Sequence, residues 1–148
     1  MIYLGADHRG FELKEKVKEW LEEWGEEYED MGNVKYDPED DFPDYAIKVA
    51  EKVAKGGGLG VLACGSGGMV MVANKFKGVW AAEVWDVERA RHAKAHDDVN
   101  VLALPADVVS EGKAKEIIKV WLETVLKKEE KYQRRLDKIR KIEEDNFK

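Results

Sequence analysis

The feature that most constrains the fold is an alternation. Short apolar runs are separated by segments whose apolar residues recur at helical spacing, the pattern of βαβ units built on a parallel sheet. "IYLGA" at 2–6, "LGVLAC" at 59–64, "GVWAAEV" at 78–84 and "NVLALP" at 100–105 read as strands, with 59–64 central. "EEYEDMG" at 26–32 is a charged, poorer strand suited to a sheet edge. Leu13, Val17, Trp20, Leu21 and Trp24 mark a first helix that Gly25 stops. Pro43 sits in the first turn of a second helix running to about Lys55, and a short helix reaches Lys75. Asp86 and Ser110 are placed to cap two more helices. A last, highly charged helix begins near Glu130, and its few apolar positions suit packing on a second subunit.

At 148 residues the chain can bury one core, so a single domain is expected over 1–148. A net charge of −6 argues against generic nucleic-acid or anionic-membrane partners, which would repel it. No run approaches the roughly 20 apolar residues of a membrane span, and "MIYLGADHRG" lacks the features of a signal peptide. A cytoplasmic protein is expected. Cys64 is the only cysteine, which excludes an internal disulfide, and no pair of cysteines suggests a zinc site.

Cys64 ends the central strand where "GSGG" begins. Backbone N–H groups in such a loop can converge on one point, lower a thiol pKa and hold an oxyanion. The residues alone leave two readings open, a reactive thiolate or a small core hydrophobe. Likewise Asp7-His8 can be turn chemistry, His96 a helix C-terminal residue favoured by the dipole, and Lys131 with Arg135 a solvated helix face. His92 reads as structural or exposed.

Five ordered motifs resolve these alternatives together. "GADHRGFELKEKV" (5–17), "DDFPDYA" (40–46), "CGSGG…ANK" (64–75), "ARHAKAHDDVNVLAL" (90–104) and "KYQRRLDKI" (131–139) resemble the type B ribose-5-phosphate isomerase family, which includes the galactose-6-phosphate isomerase subunits. The resemblance implies a three-layer α/β/α sandwich with a five-stranded parallel sheet, and a homodimer whose active site is shared across the interface. It also implies aldose–ketose isomerisation through an enediolate, without metal or cofactor. By the same resemblance Cys64 is the base, and Ser66 with the N–H groups of Gly65, Gly67 and Gly68 forms the oxyanion hole. His96 opens the sugar ring, and Asp7, His8 and Tyr45 contact the sugar or its phosphate. Lys131 and Arg135 hold the phosphate from the neighbouring subunit. The family's other branch uses a glutamate in the loop helix, where this chain has Gly68, Met69, Val70 and Met71.

Departures from the family pattern bear on the substrate. Asp97 replaces an asparagine, and an ionised carboxylate cannot donate a hydrogen bond to an enediolate. Asp107 stands where an arginine is common, Lys131 replaces an arginine, Tyr132 a histidine and Trp80 an arginine. The glycine loop is one residue short. Arg9 is the cation that could compensate. These changes point towards an altered, even unphosphorylated, sugar. They also leave a second reading, a noncatalytic sugar- or sugar-phosphate-binding homologue or partner subunit. A flavodoxin-like flavin or phosphorelay protein is a third, resting on fold class alone. Whether dimers pair into tetramers is open.

Overall fold

A computed structural model describes residues 1–147. Five strands, β1 (Ile2–Ala6), β2 (Tyr28–Asp30), β3 (Leu59–Cys64), β4 (Ala81–Glu83) and β5 (Val101–Pro105), form one sheet in the order β2-β1-β3-β5-β4. Every pairing is parallel. β3 is the middle strand, as its uninterrupted apolar run predicts, and β5 lies inside the sheet, leaving β2 and β4 as the edges. β4 is shorter than the apolar run at 78–84 suggests. Trp80 is diverted from it, its N–H donating to Asn100 Oδ1 and its indole N–H to Glu143 Oε2.

The period-2 alternation divides the core. Val61, Ala63, Leu102 and Leu104 face α1 (Phe11–Glu23), α4 (Val87–Ala95) and α5 (Glu111–Glu123), while Leu62, Cys64, Val101 and Ala103 face α2 (Phe42–Gly56) and α3 (Gly68–Ala73). This is the expected three-layer sandwich. Asp86 accepts the Arg89 N–H at 2.7 Å and Ser110 the Lys113 N–H at 3.2 Å, as their capping positions predict. Buried Lys14 on α1 is satisfied by Asp30 of β2 at 2.7 Å and by Glu15 at 2.9 Å, which ties the short edge strand to the helix layer. Among the described residues, no helix is long and apolar enough to cross a membrane.

The last helix, α6 (Glu130–Asn146), has a narrow contact face of its own. It docks on its own subunit with one face, Tyr132, Leu136, Arg140 and Glu143, spaced at four, four and three residues. Leu136 is buried, Arg140 lies 5.0 Å from the Trp80 ring, and Glu143 accepts the Gly78 N–H at 2.7 Å. These few positions suffice because they close over the ends where the strands begin, leaving Ile139 and Ile142 outward.

Candidate functional site

β1 and β3 lie side by side, and the chain turns in opposite directions from them, to β2 on one side and to β5 and β4 on the other. At such a switch point the loops beyond the strand ends diverge and leave a crevice. A cavity of about 520 Å³ occupies it, lined by Asp7, His8, Arg9, Cys64, Gly65, Ser66 and Gly68, with Asp40, Asp41, Phe42, Pro43 and Asp44 from the segment entering α2.

Each of these side chains is held by its local fold. Asp7 is buried, and its Oδ1 accepts the N–H groups of Arg9 at 3.0 Å and Gly10 at 3.1 Å, a turn that aims the chain into α1. His8 is clamped by Asp40, whose Oδ1 meets its Nδ1 at 2.7 Å and accepts its backbone N–H at 3.2 Å. The Asp40 side chain is only 2% exposed, so this carboxylate fixes the imidazole and leaves its other nitrogen for a ligand. Arg9 lies across Gly65, where a Cβ would collide with the guanidinium, and pairs with Asp107 beyond β5. The cation expected to compensate for Asp107 is thus engaged by that same residue.

Cys64 is 4% exposed, and its thiol donates to the Ser66 carbonyl. Burial pushes the thiol pKa up, and the Asp7 and Glu83 carboxylates add to the rise against backbone hydrogen bonds from Met69 and Ser66. The lowered pKa expected from the glycine loop is therefore overturned in the resting site: desolvation outweighs the loop amides. Glu83, the one charged residue in "GVWAAEV", escaped the sequence reading. It ends β4 beside the glycine loop, where a Cβ on Gly67 would lie 2.6 Å from Glu83 Oε2. Neutralising it in Glu83→Gln should lower the Cys64 pKa. Iodoacetamide modification of Cys64 at pH 7.5 should then be faster than in wild type. An unchanged pH profile of alkylation would remove Glu83 from the thiol's environment.

The remaining expected residues lie elsewhere. Tyr45 is outside the cavity lining, its ring packed near Gly32 and under Lys48 at 5.6 Å. His96, Asp97, Lys131 and Arg135 gather where the strands begin. Asn100 and Trp80, joined at 3.0 Å, start β5 and lead into β4, and the Gly60 N–H of β3 donates to the Asn100 carbonyl at 2.9 Å. His96 follows α4 at this end and stacks on Tyr132 of α6, whereas the Ala106 N–H meets the Cys64 carbonyl at the opposite end. With about 3.3 Å per residue, the length of β3 separates the two groups by about 16 Å. Asp97 is exposed beside His96, away from the cavity of its own subunit. Among the described residues, no group of three His, Cys, Asp or Glu side chains is placed to hold a metal ion.

Comparison with known proteins agrees with this architecture. The family model described as Ribose/Galactose Isomerase matches residues 2–139. Ribose-5-phosphate isomerase B of Mycobacterium tuberculosis is 35% identical over 144 residues, covering 96% of this chain and 89% of that protein. The crystal structure of ribose-5-phosphate isomerase B from Mycoplasma genitalium with bound ribulose-5-phosphate superposes with a TM-score of 0.94 at 38% identity, covering 98% of this chain and 97% of that one. Ribose-5-phosphate isomerase B from Clostridium thermocellum gives 0.92 at 35% identity, covering 97% of each. With its sheet order, its crevice at the β1–β3 switch point and a match along almost its whole length, the chain belongs to the ribose/galactose isomerase family.

Proposed function

We propose that this protein interconverts ribose 5-phosphate and ribulose 5-phosphate, at sites that each combine the Cys64 cavity of one subunit with the His96 end of another. The observation that carries the reading is the separation of the two groups within one chain. The cavity holds a buried thiol, a clamped histidine and several carboxylates, and its one guanidinium is paired. It suits sugar hydroxyls better than a phosphate. Lys131 and Arg135 are exposed cations at the far end, and a two-fold partner that presented them to the cavity would create two equal sites at once.

In this arrangement His96 transfers a proton at the ring oxygen to open the furanose. Cys64, as thiolate, takes the proton from sugar carbon 2 and returns it to carbon 1, while the hydroxyl proton moves from O2 to O1. The amides of Gly65, Gly67 and Gly68 with Ser66 stabilise the negative oxygens of the intermediate. A thiol pKa above its ordinary range makes the thiolate a stronger base once formed, at the cost of a smaller ionised fraction. Asp107 does not oppose a phosphate here, because it is matched by Arg9.

Subunit mixing tests the shared site. Cys64→Ala and His96→Ala should each be inactive, whereas randomised mixtures of the two should recover about a quarter of wild-type turnover, since half the dimers carry one intact site. Recovery that is absent, while wild type turns over, would place the whole site in one subunit. A wild-type protein that neither isomerises ribose 5-phosphate nor exchanges deuterium into it would favour the noncatalytic sugar-binding reading.

A further inference from the structure

The His96 end contains a residue to which the chemistry above gives no part. Tyr132 projects from the docked face of α6, one turn before buried Leu136. Its ring lies parallel to the His96 imidazole, with centroids 4.8 Å apart and planes 2° from parallel. The same ring has Lys131 Nζ 5.2 Å and the Arg135 guanidinium carbon 5.9 Å from its centroid. One aromatic plane therefore touches three groups from two elements. Among the described residues its hydroxyl makes no hydrogen bond, so the ring face is what acts.

We propose that Tyr132 is a positioning residue that holds His96, Lys131 and Arg135 as one preset unit. The proposal rests on the function proposed above. Among the described residues, His96 follows the last turn of α4 and is held by its backbone bond to His92 and its ring stacks with His92 and Tyr132. A parallel ring sets the plane of an imidazole while leaving both nitrogens at its edge open for proton transfer. Lys131 and Arg135 are long side chains that would lose freedom when they grip a phosphate, and attraction to the π face restricts them beforehand. An aliphatic residue could seal this helix contact equally well, yet it would order neither the imidazole nor the cations.

Tyr132→Phe and Tyr132→Leu in the full-length protein test the idea, with Tyr132→Met as a second aliphatic substitute should leucine destabilise the fold. The readouts are the carbon-bound imidazole proton signals of His96, together with kcat and KM for ribose 5-phosphate. Phenylalanine should keep all of them within about twofold of wild type. The aliphatic variants should shift the His96 signals downfield, as ring shielding is lost, and reduce kcat/KM by about tenfold at unchanged helix content. Unmoved His96 signals in the aliphatic variants would overturn the proposal, whether or not the wild type turns over the sugar. A loss in Tyr132→Phe equal to that in Tyr132→Leu would also overturn it, because the hydroxyl would then be responsible. Wild-type inactivity accompanied by shifted signals would refute the isomerase reading while leaving the positioning intact.

Discussion

Cys64→Ala should abolish deuterium exchange between solvent and ribose 5-phosphate and reduce isomerisation by about 10³-fold or more, leaving the protein folded. General acid–base groups contribute about 10²–10⁴ to a rate. His8 is held by Asp40, and Asp7 is occupied in its turn. Cys64→Ser is the sharper variant: it preserves size and hydrogen bonding while replacing a thiol with a hydroxyl that hardly ionises near neutrality. Both should melt close to wild type, since a small side chain is lost from the edge of a core. Exchange persisting in either variant would assign the base elsewhere, and Glu83 would be the first residue to examine.

Gly10→Ala should be the most disruptive single-methyl substitution near the site. A Cβ at position 10 would fall on the carbonyl of Ala63 and 2.8 Å from the Cys64 nitrogen, which is backbone at the end of the central strand and cannot swing aside. The φ of −101° is ordinary, so contact rather than backbone strain demands glycine here. Overpacking of this kind costs about 3 kcal/mol, equivalent to a fall of roughly 6–12 °C in Tm for a chain of this length. Relief requires α1 and the Asp7 turn to separate from β3, so activity should fall further than stability. A variant melting within about 2 °C of wild type would mean that the β1–α1 turn is looser than its hydrogen bonds indicate.

What the sequence disclosed follows the range of the interactions involved. β1, β3 and β5 were legible because buried parallel strands are continuous apolar runs, and the Asp86 and Ser110 caps because a cap acts over three residues. The partnership of His8 with Asp40 spans 32 positions and leaves no local mark. Arg9 and Asp107 were each noticed, yet only the folded chain joins them. The effect of the glycine loop on Cys64 was misjudged because amide donors can be inferred from glycines, whereas desolvation by α2 and α3 depends on packing. For α6, mean composition obscured one narrow stripe, enough to fix the helix to its own subunit. Glu83 did leave a signal, a lone charge in an apolar strand, although its nearness to Gly67 depended on knowing that β4 is an edge.

The placement of Cys64 and His96 at opposite ends of one sheet has a consequence for mass action. If the site is shared as proposed, a lone subunit can be fully folded and still own no complete site, and catalytic competence would follow the dimer's dissociation constant rather than the folding equilibrium. Dilution would silence such an enzyme without unfolding it. A copy damaged at both ends would silence its intact partner, whereas one damaged at a single end would still complete one site with it.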